Sequence, residues 1–411
     1  MLAEFQSLLH NSLLLIGYVG TGKANLPPTN ELFSPIIPQK IARTFNALPN
    51  PIQYPQWTNQ GEPGHWQYFV PDTWTSGFFP QTLYEMHTRQ TLCPGDQGGQ
   101  GIDWVEYGRR ASIGLASLPG HNTQGHDVGF LSFPFIQELE VNPQNETAKN
   151  VINAFARELA ARFNPNVGAT LSWDPPANNP NLFRVIIDNM MNLELLFVSE
   201  ELTGNKTLGN IARAHADTTM KNQIRADGST WHVIEYNPRT GAVTAKHTAQ
   251  GYSDDSTWAR GQAWGIYGFA NMFKRTGNQD YLLTARRLAS YFLDNLPNDN
   301  IVPWDFNAPL NDPKNFGVRP ADSSAATVAA TGLLLLADVE TDWWATERWV
   351  AGAVKILDNI TKLAWKPSWE SLLSNGTVNW PNNNYLTGIV YGDYYFVKAG
   401  NDLIKMGLAE C

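Results

Sequence analysis

Charged side chains make up only 16% of this 411-residue chain, well below the roughly 25% of an average soluble protein. Its 38 acidic residues outnumber the 29 basic ones, giving a formal net charge of -9. That balance excludes a sequence-independent grip on nucleic-acid phosphates, which needs a basic surface. An anionic ligand would have to be held by a few local arginines. Cysteine is nearly absent, with only Cys93 and Cys411. Two thiols make neither a disulfide framework nor a metal-binding CxxC pattern, and their redox state stays open. Among eight histidines, His121 and His126 stand five apart across a glycine, which is not the one-face spacing of a helical metal site. No metal and no cofactor is expected. Long apolar runs are missing too: none approaches the about 18 residues a membrane span needs, so no membrane partner is expected.

The N-terminal region contains two misleading signals. "SLLLIGYVG" (12 to 20) resembles the apolar part of a signal peptide, but Glu4 is the only charge before it and there is no basic n-region. That favours a cytoplasmic protein, with secretion as the alternative. "GYVGTGKA" (17 to 24) fits GxxxxGK, yet Ala24 stands where a Ser or Thr should hold magnesium, and the prolines of "NLPPTN" prevent a phosphate-binding helix from starting.

Aromatic residues, by contrast, are plentiful, at 12% with 15 tryptophans. Exposed indoles suit a sugar ligand, whereas buried ones would simply fill a large helical core. Periodicity favours helices throughout. "ETAKNVINAFARELAARF" (146 to 163) aligns Val151, Ile152, Phe155, Leu159 and Phe163 on one stripe, and "RVIIDNMMNLELLFVSEEL" (184 to 202) is apolar nearly all round, the mark of a buried helix. Further helices are expected at 38 to 48, 77 to 90, 103 to 118, 128 to 140, 207 to 225, 257 to 275, 279 to 296, 323 to 339, 345 to 364 and 388 to 406. A weak repeat aligns 201 to 220 with 274 to 293; in each copy a helix closes on Thr-Gly-Asn and an amphipathic one follows. Apolar helices alternating with amphipathic ones predict an all-α fold of two concentric layers, an (α/α)6 toroid of six helix hairpins. The expected organisation is an N-terminal extension over 1 to 35 and a single domain over 36 to 411. Two long, ring-rich loops, 164 to 181 and 298 to 324, are expected to form a functional rim.

Four acidic sites compete for chemistry. Asp188 is a lone charge in "FRVIIDNMMNLELLF". Burial there would raise its pKa towards what a general acid needs near neutral pH, although an arginine partner or a capping role would also explain it. Asp127 in "GHDVGFLSFPF" precedes a second apolar run, and Asp305 in "VPWDF" lies in a rim loop. Asp254 and Asp255 are sequence neighbours whose side chains diverge, so they cannot flank one sugar bond together. Their place before "STWARGQAW" fits capping or ordering of the turn.

"TWTSGFFP" (73 to 80), "HDVGFL" (126 to 131), "IIDNMMNLELLF" (186 to 197), "QGYSDDSTWARGQAWGIYGF" (250 to 269) and "YGDYYF" (391 to 396) together resemble the unsaturated glucuronyl hydrolases, glycoside hydrolase family 88. The resemblance implies the same toroid and a substrate that is an oligosaccharide bearing a 4,5-unsaturated uronic acid at its non-reducing end. It implies hydration of the C4–C5 double bond, a proton going to C4 and water to C5, so that the two-carboxylate spacing rule of other glycosidases does not apply. By the same resemblance Asp188 is the general acid/base and Asp127 the carboxyl group that assists it. His232, Gln250, Trp258 and Arg260 hold the unsaturated sugar. Trp74, Phe78, Trp173 and Trp264 line the pocket, core packing being the alternative for Phe78 and Trp264, and Tyr391 closes the far side. An unsaturated rhamnogalacturonyl hydrolase or a non-catalytic saccharide-binding toroid are the competing readings.

Overall fold

The computed structural model describes residues 29–309 and 320–411. The apolar and GxxxxGK-like stretches near the N-terminus and residues 310–319 of the second rim loop lie outside them. Twelve α-helices follow one another among the described residues: α1 (Ile36–Asn46), α2 (Phe78–Leu92), α3 (Trp104–Ala116), α4 (Val128–Val141), α5 (Glu146–Ala161), α6 (Asn189–Thr203), α7 (Lys206–Asn222), α8 (Ala259–Thr276), α9 (Gln279–Asp294), α10 (Ser323–Val339), α11 (Trp343–Ala364) and α12 (Val390–Lys405). The even-numbered helices pack in a closed ring, α2 on α4, α6, α8, α10, α12 and back to α2, and odd-numbered α3 to α11 each lie outside the inner helix before them. This is the (α/α)6 toroid.

Local sequence sets the layers. α10 buries Ser323 to Leu334 without a break, as an inner helix must, whereas α5 buries only one stripe that includes Val151, Ile152, Phe155 and Leu159. The Thr-Gly-Asn repeat works at both ends of its turn. Gly204 and Gly277 close α6 and α8 in the left-handed conformation, with φ 74° and 69°. Asn205 and Asn278 then accept the Thr207 and Asp280 amides to start α7 and α9.

One expected helix is divided. Residues Phe183–Ile186 form a strand, β5, and α6 starts only at Asn189. The β-branched run Val185-Ile186-Ile187 suits a strand, and β5 pairs antiparallel with β6 (Val233–Tyr236), which pairs with β7 (Val243–His247). β1 (Tyr54–Thr58) and β2 (Trp66–Phe69) make a hairpin, and β3 (Phe163–Asn164) with β4 (Ala169–Thr170) a short one. Because the six inner helices run the same way round the ring, the segments that enter them gather at one end. Those segments carry Trp74, Asp127, Asp188, Trp258, Asp322 and Ile389.

The last residues of the N-terminal extension join the core. Leu32 is fully buried and its carbonyl accepts from Arg89 Nη1. The two cysteines meet in a disulfide, Cys93–Cys411, with a Cα–Cα distance of 5.5 Å. Their 318-residue separation left this pairing invisible to any spacing pattern.

Candidate active site

Two close helix contacts bring the main carboxyl groups together. A side chain at Gly129 would collide with Asn192 Oδ1, and that same oxygen accepts the Phe130 amide at 3.0 Å. The first turns of α4 and α6 are thereby locked side by side, and Asp127 and Asp188 stand immediately before them. The β5–β6 pairing does the same for the histidine. Ile187 N donates to His232 O at 3.1 Å, which sets Asp188 beside His232, with Oδ2 at 3.8 Å from Nε2.

Asp188 is 8% exposed and its Oδ2 has no hydrogen-bond partner. Burial raises its carboxyl to about 7, against a smaller opposing pull from the Arg260 guanidinium. Asp127 is raised well above the ordinary carboxylate range, first by burial and then by the negative charge of Asp188. The Asp188 charge thus disfavours ionisation of Asp127, which favours keeping a proton on the pair. His232 is buried, and that burial, then the Arg260 charge, pushes its pKa down to about 3. The ring is neutral. Its Nδ1 accepts the Ala249 amide at 3.2 Å, so the proton sits on Nε2, which is a buried donor without an acceptor facing Asp188.

A cavity of about 490 Å³ opens over these groups. Of the expected residues, Asp127, Asp188, Trp74, Trp173 and Gln250 line it. The others stand behind that wall. Trp258 is 3% exposed and lies between the His232 ring, 4.4 Å between centroids, and the Arg260 guanidinium, 4.6 Å from the Trp258 centroid. Phe78, Trp264 and Tyr391 are buried in one aromatic cluster beneath Trp74 and Phe130, with Trp74–Tyr391 at 5.2 Å and Phe130–Trp264 at 5.7 Å. Phe78 and Trp264 therefore sit in the core and not on the cavity wall, because the inner helices converge there and leave no exposed face.

Arg260 departs furthest from expectation. It is 2% exposed, and its fork is filled by the protein. Nη1 donates to Asp322 Oδ2 at 2.6 Å and Thr377 O at 2.7 Å, and Nη2 to Gln250 Oε1 at 3.0 Å and Val378 O at 2.7 Å. With its oxygen occupied by Arg260, the Gln250 side chain has its Nε2 amide left to offer the cavity that it lines. Arg260 thus orients Gln250 and the 377–378 backbone, and its charge acts through space on Asp188 and His232 without its fork facing the cavity.

Of Asp254 and Asp255, the first orders the turn and neither caps α8. Asp254 Oδ1 accepts the Thr248 amide at 3.0 Å, and α8 starts at Ala259 with Trp258 in the cap position and no side-chain cap. Asp305 is no solvated rim residue: at 1% exposure it accepts from Ser256 Oγ at 2.6 Å and Tyr252 N at 2.9 Å, fixing that turn. Sequence reading missed Gln56, Trp57, Ile186, Val378, Asn379, Asn382 and Asn384, which complete the cavity wall among the described residues. The "NWPNNN" run (379 to 384) reads as an ordinary turn, and only its position over the site distinguishes it.

No protein-family model matches the chain. It is 36% identical over 336 residues to an unsaturated glucuronyl hydrolase of Formosa agariphila, covering 79% of this chain and 78% of that one. A crystal structure of an unsaturated glucuronyl hydrolase specific for heparin superposes with a TM-score of 0.80 at 29% identity, over 92% of this chain and 98% of that one. A related structure holding dGlcA-Glc-Rha-Glc matches with a TM-score of 0.79 at 27% identity, over 90% of this chain and 95% of that one. Identity at that level over most of both sequences, on the same closed ring of helices, places this chain among the unsaturated glucuronyl hydrolases, a family of glycoside hydrolases.

Proposed function

We propose that the protein removes a 4,5-unsaturated glucuronyl residue from the non-reducing end of an oligosaccharide by hydrating its C4–C5 double bond. Asp188 in its acid form gives a proton to C4. Water adds at C5 and returns a proton to Asp188, so the group ends as it began. The resulting hemiketal opens, the remaining saccharide leaves, and a keto-uronic acid is released. Asp127 helps to keep a proton on the pair. Gln250 Nε2 is a donor offered to the sugar's oxygens, His232 Nε2 is held towards Asp188, and the adjoining N-termini of α4 and α6 favour the sugar carboxylate. Trp74 and Trp173 supply the flat walls.

The observation that carries this reading is Asp188 itself: a buried carboxyl with a free oxygen in the cavity, held at about 7. An acid of that strength is half-protonated at neutral pH, where a proton donor is most useful. Loss of the ultraviolet absorbance of the conjugated enol ether measures the reaction directly. Wild type should bleach an unsaturated glucuronyl disaccharide, and Asp188→Asn should slow it by about 10²- to 10⁴-fold. For wild type, kcat/KM should fall as pH rises through about 7, since the acid form is then lost. An Asp188→Asn protein as fast as wild type sinks the assignment.

The Cys93–Cys411 disulfide supports an oxidising working environment, in place of the cytoplasm expected from the lack of a basic n-region. Among the described residues no helix is long and apolar enough to cross a membrane.

A further inference from the structure

The inner ring encloses a second cavity, on the far side of the aromatic cluster from Asp188. Its volume is about 520 Å³, within the range of small-molecule sites. All six inner helices line it, and the last turns of α4, α8 and α12 bring Glu140, Arg275 and Lys405 to its mouth. One layer of rings divides it from the cavity over Asp188: Trp264 stands 5.7 Å from Tyr395, and Phe78 5.8 Å from Tyr394, between centroids.

On this side the layer carries hydroxyl groups without partners. Tyr394 and Tyr395 are 7% and 2% exposed and Tyr267 is half-buried, yet none of the three phenol groups has a hydrogen-bond partner among the described residues. All three line the cavity. A buried hydroxyl left unpaired costs free energy that a bound polar molecule would recover. Burial pushes all three upwards, Tyr267 to about 12, so each keeps its proton and can both donate and accept. Two carboxamides join them. Gln81, 1% exposed, places its Nε2 on Phe130 O at 3.4 Å, and Gln137, whose Nε2 donates to Glu85 Oε1 at 3.2 Å, keeps a buried Oε1 without a partner. Phe133, Met190 and Leu335 supply apolar wall.

The charges around the mouth face one another. Lys398 Nζ bonds both oxygens of Asp402 at 3.0 Å, Arg275 bridges Glu194 and Glu201, and Lys274 meets Asp338 at 3.3 Å. Glu85 accepts from Gln137 and from Asn401 Nδ2 at 2.8 Å, and the Lys405 and Lys398 charges act on Glu140. A charged ligand would have to break into these pairs while shedding its own water. Hydroxyl groups instead match the phenols and carboxamides, and the apolar face of a sugar ring matches the Phe133 and Met190 side chains.

We propose that this second cavity binds a neutral mono- or disaccharide, held by the hydroxyl groups of Tyr267, Tyr394 and Tyr395 and the amides of Gln81 and Gln137. The site is separate from the catalytic cavity and does not depend on the reaction proposed there. The test titrates the full chain with methyl β-D-glucopyranoside, followed by saturation-transfer NMR. Wild type should bind the glycoside, and Thr88→Trp, which fills the cavity from a half-buried position on its wall, should abolish that binding. Tyr394→Phe combined with Tyr395→Phe keeps the rings, removes two hydrogen bonds and should weaken binding about tenfold. Gln250→Ala, in the other cavity, should leave the affinity within about twofold, since well-separated sites act independently. Glucosamine, of similar size but cationic, should bind at least about fivefold more weakly. No glycoside binding up to about 100 mM overturns the site. Binding that survives both Thr88→Trp and the double variant, or that Gln250→Ala abolishes, overturns its location, and glucosamine bound as tightly as the glycoside overturns the neutral ligand class. The two cavity variants act by different means, so misfolding of one leaves the other to decide.

Discussion

At the scale of the residue, the site runs on carboxyl groups kept where they are least comfortable. Asp188 sits at the N-terminus of α6, where the helix dipole favours its charged form, yet burial outweighs that help and lifts it from 3.8 to about 7. The consequence for stability has a definite sign. A group whose folded pKa is raised contributes its full stability below the unfolded value and loses it as pH rises through the folded value, about 4 kcal/mol in all for a shift of this size. Asp188→Asn removes the ionisation. The variant should therefore melt above wild type at pH 8, with the gap shrinking towards pH 4, and thermal melts across that range would show it. A gap independent of pH would mean that Asp188 is not the group being strained. Asp188 was legible in the sequence because one charge amid Ile, Met, Leu and Phe is costly to keep. The amides of the cavity wall were not, since nothing local separates Asn379, Asn382 and Asn384 from the asparagines of any turn.

At the scale of the element, helix period and cap residues made the ring legible. The lengths of α2 to α12 follow their apolar stripes, and the Thr-Gly-Asn repeat marks two of the turns. Strand β5 escaped because an all-round apolar run does not distinguish a buried helix from a strand leading into one; its partner β6 lies almost fifty residues away. Arg260 escaped for a similar reason. Its residue type fits a sugar carboxylate, but its four closest acceptors come from the side chains of Gln250 and Asp322 and the carbonyls of Thr377 and Val378, brought together only by the fold. Because the planar fork serves four acceptors at once, lysine cannot replace it. Arg260→Lys should raise KM several-fold through a released Gln250 and a loosened 377–378 wall, and lower kcat less. If Arg260 instead gripped the substrate directly, Gln250→Ala would leave the Arg260→Lys defect intact; as a positioning residue, its defect should largely disappear in the Gln250→Ala background. A double-mutant cycle in kcat/KM decides between the two.

At the scale of the whole molecule, the toroid separates chemistry from fastening. The proposed catalytic groups gather where the inner helices begin, whereas Cys93 lies at the far end of α2, about 20 Å along a helix of 15 residues. The disulfide it forms with Cys411 closes almost the entire ring into one loop. Two cysteines among 411 residues carry no sequence sign of that role, because pairing depends on where the chain finally returns. A cross-link over so long a loop removes unfolded-state entropy worth about 5 to 6 kcal/mol, while touching nothing in the cavity. Protein isolated without reductant should therefore present no alkylatable thiol by mass spectrometry. Cys411→Ser should lower the melting temperature by roughly 5 °C or more, yet leave kcat/KM within twofold of wild type. A melting temperature that does not move, or a free thiol in the isolated protein, would remove the disulfide from the account of stability and with it the support for an oxidising environment. A parallel loss of activity would instead tie the far end of the ring to the site, against the separation that the inner helices impose.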